Sequence, residues 1–280
     1  MTITLDHVRS PYLGAPVTLT LGTGIHGIIG PNGSGKTTLL RLIAGHHRPT
    51  AGTVATATTV LARAGSDACF AGTTVRDHLA VARIGHPALG EDLAAQVLAI
   101  AGISPTAVIR RLSVGHRQLI AVAVALAANA PVTLLDEPFN GLDVRTRSEL
   151  RQVLIQEAAR REDWTLLLTS HRSEDLAGLV TDVTALRNGG STGPTELDQV
   201  REDFPTLVGP AETVRSLTGE HPVVERAVLG PTLRLTLASA LSPSEARRAE
   251  AEGVEITHPD DRTLIDLLST DVLNRDPKGL

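Results

Sequence analysis

Lysine is nearly missing from this chain: Lys36 and Lys278 are the only two among 280 residues, and arginine carries the rest of the positive charge. Aromatic side chains are almost as scarce, at one Tyr, one Trp and three Phe. Cys69 is the sole cysteine, which excludes an internal disulfide and fits a reducing compartment. No segment approaches the roughly 18 consecutive apolar residues that a membrane span needs. The run from Ala121 to Ala128 is far too short, so any membrane work is expected of another chain. The first residues, MTITLDHVRS, lack a basic lead-in followed by an apolar core, and a secretory signal is not expected. Positive charge is not in excess either. A net charge of -5 argues against a protein that binds nucleic acid by neutralising phosphates, and no nucleic-acid partner is expected.

What is present is an alternation of strands and helices. Thr2 to Val8, Val17 to Leu21 and Ile25 to Ile29 read as strands, and a glycine-rich turn then leads into a helix from Lys36 to Ala44, ended by Gly45 and Pro49. Thr53 to Leu61 reads as further strand. From Thr73 to Ala128 the texture is that of alanine-rich helices, the first capped by Thr73 or Thr74, the second ended by Gly102, the third from about Gly115. Val132 to Asp136 is an apolar run ending in acid, as a buried parallel strand would be. Leu142 to Arg161 reads as helix, Thr165 to Thr169 as strand, Ser173 to Leu179 as a short helix and Val180 to Leu186 as strand. Strands separated by helices imply a parallel sheet covered on both faces. After Thr195 the pattern shortens: a hairpin about Gly230-Pro231, a helix from Pro243 to Glu252, a strand at Val254 to Thr257 and a helix from Asp260 to Leu268 predict a small α+β appendage. Its boundary is placed near Arg201.

One of the two lysines stands inside GPNGSGKTT, Gly30 to Thr38, which fits G-x-x-x-x-G-K-[ST] between an apolar strand and a helix start. The segment Gly30, Pro31, Asn32, Gly33, Ser34, Gly35, Lys36, Thr37 and Thr38 is the candidate nucleotide-binding loop. Its amides can turn inward around phosphate oxygens, Lys36 brings a point charge to the β and γ phosphates, and the Thr37 hydroxyl can ligate Mg²⁺. VTLLDEP, Val132 to Pro138, sets Asp136 at the carboxyl end of a buried strand, where it would hold Mg²⁺ through water. Glu137 follows and is expected on the opposite side, where it could polarise the attacking water. ATP and Mg²⁺ are the ligands these two motifs call for.

With those motifs the chain resembles the nucleotide-binding subunit of ATP-binding-cassette (ABC) transporters, over Tyr12 to about Gly190. The resemblance adds LSVGHRQ, Leu112 to Gln118, at the place of the family signature. There Ser113, Val114, Gly115 and His116 would reach the γ phosphate of ATP held by the other subunit of a head-to-tail dimer. FNGLD, Phe139 to Asp143, matches the loop that crosses the dimer interface, with Asp143 its acid. His171, ending LLLTSH, matches the switch histidine, so Glu137 and His171 are the candidate catalytic pair. Tyr12 lies where the family stacks an aromatic on adenine; core packing is the other reading of that ring.

The implied fold is α/β: a P-loop NTPase core of the ABC ATPase kind with a mostly parallel sheet, an antiparallel β subdomain and a helical subdomain at about 73–128. Residues 1–200 would form the ATP-binding domain and 201–280 a small C-terminal accessory domain. Three positions depart from the family. Its loop glutamine is missing, with Gly65 in that place and Ser66 and Asp67 beside it. Val114 replaces a usual glycine and His116 a usual glutamine. Asp67 could stand in for the glutamine toward the ion or its water.

The resemblance implies an ATPase working with a second nucleotide-binding subunit, identical or different, on a separate transmembrane permease. The chain would then be cytoplasmic and peripherally attached to the membrane. Thr73 to Val81, the Gly115, Arg117 and Gln118 pattern and His258 to Ser269 resemble drug- and antibiotic-exporter subunits. Thr74 to Arg83 also reads as a plain amphipathic core helix. The alternatives are a soluble ABC ATPase without a transport role and a non-hydrolysing nucleotide-binding partner.

Overall fold

The computed structural model describes residues 2–63, 69, 73–187, 190–219 and 221–270. The chain divides into two compact units, Met1–Pro194 and Thr195–Leu280.

The first unit opens with β1 (Ile3–Arg9), β2 (Val17–Leu21) and β3 (Gly24–Ile29), followed by α1 (Lys36–Ile43), β4 (Ala51–Ala55) and β5 (Thr59–Ala62). β2, β1 and β4 make a three-stranded antiparallel sheet. In β2 every second residue is buried, the signature of a sheet with one covered face. β1 carries one extra residue between Leu5 and Val8 in its pairing with β2, and within this β-bulge His7 takes a positive φ of 48°. The segment Thr53 to Leu61, expected to be one strand, is divided between two sheets. β4 pairs antiparallel with β1, whereas β5 runs parallel to β6 (Val132–Leu135). A threonine-rich stretch satisfies strand propensity in both halves; only pairing partners reveal the break.

The second sheet is six-stranded, in the order β5, β6, β7 (Thr165–Ser170), β3, β8 (Asp182–Arg187) and β9 (Gly190–Glu196). The pairs β5/β6, β6/β7, β7/β3 and β3/β8 are parallel. β6 and β7 are buried at every position, which matches their unbroken apolar sequence. Ile3, Leu5 and Leu19 of the small sheet, Leu39 and Leu40 of α1, and Leu134 and Leu167 of the large sheet share one core.

Between β5 and β6 lie α2 (Val75–Gly85), α3 (Glu91–Ile100) and α4 (Val114–Ala127). Thr74 caps α2 in a reciprocal box with Asp77, and hydrogen bonds from Thr74 lower the Asp77 carboxyl below its ordinary range. Most of α4 from Gln118 onward is buried, so its side chains are apolar nearly all round. α5 (Val144–Arg160) follows β6 and α6 (Ser173–Leu176) follows β7.

The second unit contains α7 (Leu197–Val200), β10 (Thr206–Pro210), α8 (Ala211–Thr218), β11 (Val223–Leu229), β12 (Thr232–Leu237), α9 (Pro243–Ala251), β13 (Glu255–Thr257) and α10 (Asp261–Ser269). Its sheet has the order β11, β12, β10, β13, with every neighbouring pair antiparallel. From β10 to β13 this is the split β-α-β-β-α-β arrangement. It has its own core of Leu207, Val214, Leu217, Leu233, Leu235, Leu237, Ala249 and Val254. β10 and α8 were not legible in sequence, since TLVGP is short and ends in the two residues that weaken strand propensity.

Candidate nucleotide-binding site

The segment from Gly30 to Thr38 runs from the end of β3 into the first turn of α1. Gly33 and Gly35 take φ values of 82° and 100°, where a side chain would be strained, and this turns the loop back on itself. Gly35 occupies the cap position of α1 and brings no side-chain cap to the helix start. The first amides of α1 are thus available to an anion, in the orientation that the helix dipole favours. Ser34 Oγ is buried with no hydrogen-bond partner among the described residues, as expected of a group awaiting a ligand oxygen. Tyr12, Asn32, Gly33, Gly35, Lys36, Thr37, Thr38 and Glu137 line a cleft of about 380 Å³ over the loop. Pro31 stands exposed beside it.

Lys36 is buried, and its Nζ donates to the carbonyls of Gly30 (2.7 Å) and Pro31 (3.2 Å). It also lies 3.3 Å from Glu137 Oε1. The other Glu137 oxygen is 2.9 Å from His171 Nδ1. Glu137 thus lies over the loop, between Lys36 and His171, while the Asp136 carboxylate is held by Thr37 and Thr169. Its φ of 48° breaks the alternation after β6 and swings the carboxylate back over Lys36. Such a backbone costs a non-glycine residue on the order of 1–3 kcal/mol and is typical of functional sites.

Below this pair, Thr37 Oγ1 donates to Asp136 Oδ2 at 2.8 Å. Thr169 Oγ1, from β7, donates to Asp136 Oδ1 at 2.9 Å and accepts the Glu137 amide at 3.0 Å. Gln118 Nε2, from α4, donates to the Asp136 carbonyl at 3.2 Å. Among the described residues no three His, Cys, Asp or Glu side chains gather as a metal cage. A hydroxyl and a carboxylate at the foot of a phosphate loop are nevertheless a fitting donor set for Mg²⁺, which usually takes its other ligands from phosphates and water. Thr37 and Asp136 are the residues that would hold it.

The candidates from the signature and from the loop before α5 do not line this cleft. Ser113 is the cap of α4, accepting the His116 amide at 3.1 Å. Val114 is 52% exposed and lies in the first turn of α4, outside the set of residues with positive φ, so a side chain is accommodated where glycine is usual. Gly115 is buried against Gly141, and a Cβ there would run into the Gly141 carbonyl. Asp143 caps α5, accepting the Thr146 amide and hydroxyl, each at 2.9 Å, and these bonds lower its carboxyl. Tyr12 is 69% exposed, which removes the core-packing reading; its ring lies 6.2 Å from that of His47, tilted by 41°. Gly65, Ser66 and Asp67 lie outside the described residues. Thr169 was missed as a site residue because a threonine in an apolar strand carries no motif of its own.

The site's elements recur in known proteins. The ABC transporter family model matches residues 15–140. The iron(III) import ATP-binding protein FbpC 2 of Rhodococcus jostii is 32% identical over 257 residues, covering 82% of this chain and 71% of that one. The chain belongs to the ATP-binding proteins of ABC transporters. FbpC 3 of the same organism is 35% identical over 200 residues, covering 64% of this chain, which spans only 57% of that longer relative. A solved ATP-binding subunit of an ABC transporter superposes with a TM-score of 0.63 at 18% identity, covering 72% of this chain and 92% of its own, and shows the same fold. Both named relatives are importers, so the export expectation finds no support in them. Like others of its family, this ABC protein is of the ATPase class. No helix among the described residues is long and apolar enough to cross a membrane.

Proposed function

We propose that this ABC protein binds ATP with Mg²⁺ between Gly30 and Thr38, hydrolyses it with Glu137 and His171, and thereby energises a separate transmembrane permease from the cytoplasmic face. The observation that carries the reading is the chain of contacts Lys36–Glu137–His171 set above Thr37–Asp136. Phosphate arriving at Lys36 would replace Glu137 as its counter-charge. Glu137 would then be free to accept a proton from the attacking water, with His171 still holding its second oxygen. Bound Mg²⁺ would supply charge stabilisation at the phosphate oxygens. Tyr12 would support the adenine.

The signature Ser113–His116 and Asp143 stand outside the cleft, which supports their use by a second copy or a related subunit. Ser113 presents the start of α4, and Val114 is solvent-exposed there. Residues 1–194 serve as the motor in this reading and residues 195–280 as the accessory domain.

Two lines of support bear on direction. The names of the FbpC relatives favour import. The compact β-α-β-β-α-β unit, in place of the larger β-rich extension usual in importers, favours export. Transport into or out of vesicles carrying the permease would choose between them.

Glu137→Gln is the direct test of the motor. Turnover is expected to fall at least about 100-fold while ATP binding persists, as for loss of a general base. Undiminished turnover would sink the proposed role of Glu137. If the purified parent chain shows no turnover at all, a non-hydrolysing partner subunit becomes the better reading.

A further inference from the structure

We infer that Thr169 is a positioning residue of the hydrolytic site: its hydroxyl fixes the Asp136 carboxylate and the Glu137 backbone together. The inference rests on the ATPase reading above. Thr169 is fully buried in β7, in register with Ile28 of the strand that feeds the phosphate loop. Leu166, Leu167 and Leu168 precede it and the whole strand is buried, so the hydroxyl is a costly choice unless both its bonds are made. Both are. Its one proton goes to Asp136 Oδ1 and its lone pair takes the Glu137 amide.

Those two bonds meet different needs. Asp136 has one oxygen on Thr37 and the other on Thr169, so the plane of the carboxylate is held at both ends. Glu137 sits at a positive φ that its side chain disfavours, and the Thr169 bond anchors the amide at that turn. Without it the peptide can relax toward ordinary strand geometry, which would carry the carboxylate away from Lys36 and His171. One hydroxyl from β7 thus sets the metal-side acid and the water-side acid in a common frame. Misplacement of such groups by a fraction of an ångström is felt mainly in the chemical step.

The test compares Thr169→Val, which keeps the shape and removes both bonds, with Thr169→Ser, which keeps the hydroxyl. Expected for Thr169→Val is a kcat at least about 10-fold lower, with the KM for ATP within about twofold of the parent. Thr169→Ser is expected to restore kcat to within about twofold. A fluorescent ATP analogue should bind Thr169→Val normally in EDTA but gain less from added Mg²⁺ than the parent does. Hydrogen exchange in a peptide spanning Val132 to Asn140, measured without nucleotide, should be faster in Thr169→Val and normal in Thr169→Ser. If Thr169→Val is too unstable to purify, Thr169→Cys keeps the volume with a weaker donor and should fall between the two.

A Thr169→Val chain that keeps kcat within twofold and parental exchange would overturn the inference. So would a Thr169→Ser chain as impaired as Thr169→Val. A parent without turnover would instead refute the ATPase reading, while exchange and Mg²⁺-dependent analogue binding would still judge Thr169.

Discussion

Single residues in this protein take their chemistry from where the fold puts them. Cys69, which in sequence excluded an internal disulfide and fitted a reducing compartment, is buried, its thiol 3.5 Å from the Arg117 carbonyl. Burial pushes that thiol up to about 11, against a smaller opposing pull from Arg117. At pH 8 it is therefore protonated and shielded, and alkylation should be far slower in the native protein than in urea, by mass spectrometry of the labelled peptide. Native labelling at the unfolded rate would contradict this placement. Glu137 teaches the complementary lesson. Its identity was plain from the Asp-Glu-Pro motif, but its direction was not, because a positive φ is a backbone state no residue name announces.

At the scale of elements, the signature helix and the loop before α5 are joined by backbone proximity. Gly115 of α4 meets Gly141, which itself takes a φ of 74°. Gly115→Ala would force these two backbones apart and is expected to destabilise the first unit by about 1–3 kcal/mol, as overpacking of a tight contact does. Urea unfolding followed by circular dichroism measures it; a variant as stable as the parent would mean the contact yields freely. One helix cap was readable, Thr74 of α2, where a polar residue precedes a helical pattern; Ser113 and Asp143, read only as motif residues, cap α4 and α5 as well. The division of Thr53 to Leu61 between two sheets was not, because propensity is the same on both sides of the break.

For the molecule as a whole, the division after Pro194 has a physical basis in two separate cores. A fragment from Leu197 to Leu280 retains a complete four-stranded sheet and its own apolar cluster, so it is expected to unfold cooperatively in urea. A featureless, gradual transition would show that it cannot stand alone. Its acid response is also specified. Glu245, in the capping box of α9, is held at about 2, first by the Ser242 hydroxyl and then by His221, against an ordinary 4.5. A depressed carboxyl contributes stability that is complete above 4.5 and is lost as pH falls toward 2. Glu245→Gln should therefore lower the urea midpoint at pH 5 much more than at pH 2.5. An equal effect at both would detach the carboxylate's charge from its role as a cap.

The sequence by itself determined the chemistry of the site and the type of most elements. A phosphate loop needs particular glycines, a lysine and a threonine in fixed order, and helix caps and buried strands are short-range patterns. Tertiary structure alone decided which strands share a sheet, where Glu137 points, and that Thr169 of β7 joins Asp136 to Glu137. Those outcomes rest on pairing partners and backbone turns set by residues distant in sequence, 33 positions for Thr169 and Asp136 and 156 for the paired His26 and Asp182. No local pattern encodes contacts of that range; the packed sheet does.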